Sequence, residues 1–442
     1  MTKPSIKNLR NEKYSKFRIF VWTLFDFANT SYSIVIVTFI FAVYFKDVIS
    51  SGKPIGDLYW SLGISISMIL TGIISPVLGA IADYSAGKKR FLLFFTILCI
   101  VSTSLLFFLV EGDILIALIL FILANIGFEA GLVFYDAFLP EITSVKNYGR
   151  VSGYGFAMGY FGSLVILAIL IPFVTANLIK ETFPVSALFF LVFASPLFFI
   201  LQDSRKKIVK EKSYVSIGFN RVYLTLKNLK YYKNLALFLL AFFFYIEGVN
   251  TVIFFAGNYA KTTLNFSMNE LIIFFIVVQT TAVIGAVVFG IISDSIGQKK
   301  SIVISLFIWI FTLVVAYLTS DPNTFLMQTL ANWTGKDADT LIIPSFYFVG
   351  LLAGSVMGAT QSTSRSLMSK LTPDQKKTEF FGFYSLFGKS SAVVGPLVFG
   401  FVSYGTGSQR IAILTICIFF IIGLFILRYV NDPQVKEVNI TS

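Results

Sequence analysis

Histidine is absent from all 442 residues, which removes the usual proton shuttle near neutral pH and the commonest metal ligand. Any proton chemistry must therefore fall to carboxylates. Cysteine is nearly absent. Cys99 and Cys417 each sit inside a different apolar run, so they read as small buried hydrophobes, with no disulfide or metal framework visible. Charge is scarce at 13%, where soluble domains carry roughly a quarter. No Gly-x4-Gly-Lys-Ser/Thr run occurs, so ion gradients rather than ATP are expected to drive any uphill movement.

What fills the chain is apolar: 56% hydrophobic residues, gathered in runs long enough to cross a bilayer. Twelve spans are predicted, at 18–45, 58–82, 91–110, 114–138, 151–175, 184–201, 234–260, 270–293, 301–319, 341–369, 380–404 and 410–430. Pro76, Pro172, Pro196 and Pro396 fall inside them, as membrane helices tolerate when packed neighbours satisfy the freed backbone. Gly153, Gly155, Gly159 and Gly162 share one span and read as small-residue packing contacts. The first run is too long for a signal-peptide core and lacks a clear small-residue cleavage site, so it is expected to stay as the first membrane helix.

The net charge of +12 does not point to nucleic acid, because the basic residues cluster at the ends of apolar runs. With the N-terminus placed inside, 28 Lys and Arg fall on the cytoplasmic face and 6 on the other, which predicts both termini in the cytoplasm of a multi-pass cell (inner) membrane protein. The longest inner connection, 202–233, carries Arg205, Lys206, Lys207, Lys210 and Lys212 and divides the chain into 1–201 and 234–442. Within it Val215, Phe219, Val222, Leu226 and Leu229 recur at helical spacing, which predicts an amphipathic interfacial helix tethering two halves. On the other face, Phe325, Leu326, Leu330 and Trp333 suggest a short interfacial segment.

One pattern occurs twice. Gly79-Ala-Ile-Ala-Asp83-Tyr-Ser-Ala-Gly87-Lys-Lys-Arg90 returns in reduced form as Gly290-Ile-Ile-Ser-Asp294-Ser-Ile-Gly297-Gln-Lys-Lys300, with its aspartate 211 positions further on. Each copy lies between two apolar runs, so the chain is two similar halves, the mark of a secondary transporter.

These loops resemble the motif of the major facilitator superfamily between helices 2 and 3 and again between 8 and 9. The first copy departs by one additional residue before Gly87, which bears on its turn geometry. Trp22-Thr-Leu-Phe-Asp26-Phe-Ala-Asn29-Thr-Ser-Tyr32 is similar to the opening of the group once called the Unknown Major Facilitator family. So are Phe134-Tyr-Asp136-Ala-Phe-Leu-Pro140-Glu141, Gly149-Arg-Val-Ser-Gly153-Tyr-Gly155, Gln361-Ser-Thr-Ser-Arg365-Ser-Leu and Glu379-Phe-Phe-Gly382 through Gly388-Lys389. The resemblance implies an all-α membrane protein of twelve transmembrane helices in two pseudo-symmetric six-helix bundles, not an enzyme. That group includes the fungal vacuolar amino-acid exporter linked to autophagy, which suggests efflux of amino-acid-like solutes. Gate roles also follow from the resemblance. Asp83, Lys88 and Arg90 would form an inter-helix latch, with Asp136 accepting Lys88 or Arg90. Asp294 with Lys299 or Lys300 would be its weaker counterpart, and Arg365, Glu379, Glu141 and Arg150 flank the same loops. A purely topogenic role for the basic loops is the plainer reading.

Ionisable residues inside a bilayer are costly, so each is a candidate site. Asp26 lies about nine residues into the first span, ~13 Å deep, with Asn29 and Tyr32 on its face; it either meets solute or pairs with a neighbouring helix. Glu129 and Glu247 are deep carboxyls suited to substrate or proton coupling, or to packing in protonated form. Lys389 either binds a substrate carboxylate or forms an ion pair with Glu129, Glu247 or Asp26. Gln279 and Gln361 are neutral hydrogen-bonding candidates or helix-to-helix contacts. The chain is thus expected to act as a monomer on a small polar solute in a lipid bilayer. Protons or another ion gradient would drive it, with no nucleic acid, metal or cofactor. The alternatives are a multidrug-type exporter and a non-transporting receptor or scaffold.

Overall fold

The computed structural model describes residues 15–53, 55–85, 87–202, 214–391 and 394–433; the described residues are helical, with no strand among them. Twelve helices are long and apolar enough to cross a membrane. They are α1 (Lys16–Ile49), α2 (Ile55–Ser85), α3 (Lys88–Phe108), α4 (Ile114–Asp136), α5 (Val145–Thr175), α6 (Thr182–Ile200), α7 (Leu229–Thr262), α8 (Met268–Ile296), α9 (Gln298–Thr319), α10 (Ala338–Leu371), α11 (Asp374–Thr406) and α12 (Gln409–Leu427).

All twelve coincide with predicted spans. The observed helices run further at several ends, most of all at the starts of α5 and α11, each six residues earlier than predicted; in α11 the added turn carries Asp374, Lys376 and Lys377. Apolar run length locates a span, but the helix continues into the interface wherever caps satisfy its end groups. Ser15 does this for α1, accepting the Arg18 N–H at 3.2 Å. Ser267 and Glu270 form a reciprocal capping box on α8. Pro76, Pro172, Pro196 and Pro344 lie inside helices. Within α1, Ser33–Phe39 and Phe45–Ile49 are wound as π-helix.

The first six helices pack as one bundle and the last six as another. α1 lies against α5 and α6, and α4 between α2 and α3; in the second half α8 and α9 flank α10, and α7 lies on α12. The halves meet where α2 faces α11 and where α5 faces α8 and α10. Both repeated loops open on the same end of the molecule, called here the motif end.

Between the halves runs a helix at Tyr214–Lys227. Its register differs from the apolar stripe read in the sequence. Phe219 and Leu226 are exposed, while Gly218 and Thr225 are buried. Gly218 sits against Val77 and Ile81 of α2, where a side chain at that position would lie 2.7 Å from Ile81. Close approach of backbone to α2, rather than apolar area, therefore selects the packed face. The basic residues Arg205, Lys206, Lys207, Lys210 and Lys212, the Val215 side chain and the chain's two tails lie outside the described residues.

At the opposite end a short helix, Phe325–Thr334, begins at the Thr324 cap and leaves Phe325 and Trp333 more than 80% exposed. Beside it Arg410 reaches Asp321 at 2.6 Å. The Asn323 N–H, and then Arg410, hold the Asp321 carboxyl below its usual range.

Candidate functional site

Three polar layers join the halves, stacked from the motif end inward. The outermost is built by the duplicated aspartates. Asp83, near the end of α2, accepts the backbone N–H groups of Thr378 (3.1 Å) and Glu379 (2.9 Å) in the first turn of α11. Asp294, near the end of α8, accepts those of Gly149 (2.8 Å) and Arg150 (3.1 Å) in the first turn of α5. Each half thus places a carboxylate on the positive end of a helix of the other half, adding charge–dipole attraction to charge-assisted hydrogen bonds. Glycine permits the approach. A side chain on Gly382 would lie 2.5 Å from Ser75 O of α2, and one on Gly290 would lie 2.8 Å from Gly149 O.

The two caps differ in one charge. Arg150 adds its guanidinium to Asp294 at 2.8 Å. The equivalent residue beside Asp83 is Glu379, an acid. Glu379 turns away to the connecting helix, where the Thr225 hydroxyl donates to it and Arg221 lies 3.5 Å away, with Lys376 also at 3.5 Å. Arg221 of the connecting helix and Lys376 of α11 therefore supply beside the first cap the positive charge that the second obtains from Arg150 of α5.

The basic residues of the repeats do other work than the sequence suggested. Lys88 is buried, donates to Ala137 O at 3.0 Å, pairs with Glu141 and lies over the Phe138 ring. It braces α3 against the α4–α5 turn inside one half and reaches neither Asp83 nor Asp136. Arg90 and Lys300 are exposed and form no ion pair among the described residues. Lys89 donates to Leu201 O (2.7 Å), and Lys299 to Val430 O (2.7 Å) and Arg428 O (3.0 Å). Those are the carbonyl ends of α6 and α12, which carry negative partial charge. Asp294 is thus not a partner of Lys299 or Lys300.

The second layer centres on Arg365 of α10, which is 1% exposed. Its Nη1 lies 3.2 Å from Asp26 Oδ2 of α1 and 3.0 Å from Asp136 Oδ1 of α4. Its Nε donates to Ser152 Oγ (3.0 Å) and its Nη2 to Ser152 O (2.9 Å) on α5. The guanidinium lies 4.2 Å from the Phe156 ring and 4.8 Å from that of Trp22. Trp22 stacks on Tyr135 at 4.6 Å, and the Tyr135 hydroxyl donates to Asp26 at 2.7 Å. A residue of the second half is thus enclosed by three helices of the first. This is the acceptor role read for Asp136, filled by Arg365 instead of Lys88 or Arg90. Asp26 is drawn into the same cluster rather than standing with Asn29 and Tyr32 alone.

The third layer lies deeper. Glu129 of α4 forms an ion pair with Lys389 of α11. Beside Glu129, the Asn125 Nδ2 donates to Ser67 Oγ at 2.7 Å and the Tyr32 hydroxyl approaches Asn125 Oδ1 at 3.4 Å. The Gln279 amide of α8 donates to Ser163 Oγ (3.1 Å), and the Tyr160 hydroxyl donates to Gln361 of α10 (2.6 Å). Asn29 is 3% exposed and its Nδ2 has no hydrogen-bond partner among the described residues. Glu247 is elsewhere: it accepts the Gly395 N–H of α11 inside the second half.

Sequence reasoning did not single out Trp22, Tyr135, Ser152 and Phe156 as partners of Arg365, nor Arg221 and Thr225 as partners of Glu379. Trp22 and Tyr135 lay inside motifs already quoted, so an aromatic beside each intramembrane acid was the available signal.

Residues 59–437 match the family model described as vacuole effluxer Atg22 like. YxiO of Bacillus subtilis (strain 168), an uncharacterized MFS-type transporter, is 32% identical over 432 residues, covering 95% of this chain and 96% of its own length. Autophagy-related protein 22 of Kluyveromyces lactis is 25% identical over 365 residues, covering 77% of this chain and 72% of its own. Among solved structures, the major facilitator proton:xylose symporter XylE superposes with a TM-score of 0.71 at 14% identity, covering 96% of this chain and 97% of that one.

Proposed function

This chain belongs to the vacuole effluxer Atg22-like family of major facilitator transporters, and from that premise we propose that it exports a small polar solute, an amino acid or related metabolite, by proton-coupled alternating access. The motif end faces the cytoplasm in this reading, supported by the 28-to-6 asymmetry of basic residues. Residues 1–201 and 234–442 move against each other about the 202–233 connection.

One observation carries the solute class. Glu129 and Lys389 are opposite charges at depth, one on each half, and the polar side chains of Asn125, Ser67 and Tyr32 lie on the Glu129 side. An ion pair of this kind satisfies itself when the site is empty. A zwitterion can replace it, its ammonium meeting Glu129 and its carboxylate meeting Lys389, so that solute bridges the halves. Neither charge is then left bare in low dielectric, which would be expensive. Asn29, Tyr32, Gln279 and Gln361 supply neutral hydrogen-bonding groups nearby in depth. Kd differences among solutes should therefore follow the zwitterion more than the side chain.

The experiment is a thermal-shift screen of the purified protein with amino acids against their amides and decarboxylated amines. A ligand that prefers the folded state stabilises it by RT ln(1 + [L]/Kd) and so raises the melting point. Zwitterions should stabilise and both singly charged analogues should not. Stabilisation by bulky apolar cations alone would replace this reading with a multidrug-type exporter.

Gate function has its own test. Asp83→Asn keeps an acceptor oxygen for α11 but loses the charge that complements the helix end. Counterflow in proteoliposomes should slow several-fold, while solute affinity changes by less than about twofold. Equal loss of turnover and affinity would argue against a gate.

A further inference from the structure

We propose that Asp26 and Asp136 together bind one proton when Arg365 leaves them, so that opening of the motif end is linked to proton uptake; this rests on the alternating-access reading above. A single guanidinium serves both carboxylates, through one nitrogen, at 3.2 and 3.0 Å. Both acids belong to the first half and the cation to the second. Any movement that parts α10 from α1, α4 and α5 removes the cation from both acids at once.

The acids themselves stay together. The Trp22 indole donates to Tyr135 O (3.3 Å), and the Tyr135 hydroxyl donates to Trp22 O (3.1 Å) as well as to Asp26, so α1 and α4 are tied at this level. Two carboxylates sharing a site without a counter-cation cannot both remain ionised, and one takes a proton. Their other neighbours do not supply a positive charge. Tyr135 and Tyr160 are hydroxyl donors of the first half, and Ser152 keeps only a hydroxyl. Tyr384 and Lys389 of α11 also face this cluster, but they belong to the half that leaves, and Lys389 is paired with Glu129.

The other buried acids differ in kind. Glu129 has one cation to itself, and in the reading above solute takes that cation's place. Glu247 keeps its contacts inside the second half, so the relative motion of the halves leaves them unchanged. Glu129 and Asp294 lose Lys389 and Arg150 in the same movement, but each is one acid facing one cation, whereas Asp26 and Asp136 are two acids left together by a single cation. The open state binds more protons than the closed one, so acid on the motif side favours opening.

The test uses the full chain in lipid nanodiscs with Cys99 and Cys417 replaced by alanine and spin labels at Arg90→Cys and Lys300→Cys. Both labelled positions are exposed and lie on opposite halves at the motif end. Electron–electron distance distributions should show a longer population that grows as pH falls from about 8 to about 5, and Asp26→Asn/Asp136→Asn should abolish that growth. Asp136→Asn alone, which keeps one acid for Arg365, should move the response to lower pH, and Glu247→Gln should leave it in place. An unchanged pH response in the double variant, or two populations whose ratio ignores pH in the parent, would overturn the proposal. A single distance at every pH, with and without amino acids, would remove alternating access along with it.

Discussion

Replacing Arg365 with leucine is expected to destabilise the protein by about 3–5 kcal/mol at neutral pH, the loss usual when one partner of a buried ion pair is removed. The reason lies in what remains. Asp26 stays buried, at 8% exposure, and Asp136 half-buried, with the cation that served both now missing. Leucine also forfeits two hydrogen bonds to Ser152 and the stacking on Phe156 and Trp22. Thermal unfolding in detergent reads the effect. Two companions separate electrostatics from packing. Adding Asp26→Asn and Asp136→Asn should recover much of the loss, because neutral amides need no counter-ion. Lowering the pH should recover part of it in the single variant, because the acids then take up protons. If leucine is tolerated at neutral pH, the cluster does not hold the halves together.

Lys389→Met should reduce solute uptake by about 30- to 140-fold, since one charge-assisted contact is worth about 2–3 kcal/mol and 1.4 kcal/mol is tenfold. Glu129→Gln should fall in the same range. The informative variant is the reversed pair, Glu129→Lys with Lys389→Glu. It restores attraction between α4 and α11, so a pair that only holds helices together regains uptake. If each charge instead meets one end of an oriented zwitterion, the reversed site offers its charges to the wrong ends and uptake stays low. We expect the second outcome in proteoliposome counterflow. Recovery to near the parent rate would reduce Glu129 and Lys389 to a structural tie.

Much of this is legible in the sequence. Apolar run length alone located twelve helices, because a bilayer leaves the backbone no other way to satisfy itself. The repeat of Asp83 at Asp294 revealed the two halves, and every intramembrane acid proved to have a specific partner. Partners were the illegible part. The family resemblance implies a latch of Lys88 and Arg90 with Asp83, yet Lys88 turns to Glu141 and the acid looks across to backbone on α11. A helix N-terminus carries no side-chain signature, so an acceptor for it cannot be found by matching charges. Arg365 lies 339 positions from Asp26, and no local pattern joins them.

The sequence by itself determined the membrane class, the twelve helices, the duplication and the short roster of charges that hydrocarbon does not admit without purpose. Those follow from one-dimensional quantities: run length, spacing and the energy of burying a charge. Tertiary structure decided how the roster divides. Asp83 and Asp294 cap helices across the interface, Asp26 and Asp136 share Arg365, and Glu129 faces Lys389. That division depends on which half each helix belongs to and how closely glycine lets the halves approach, and both are properties of packed helices rather than of any segment.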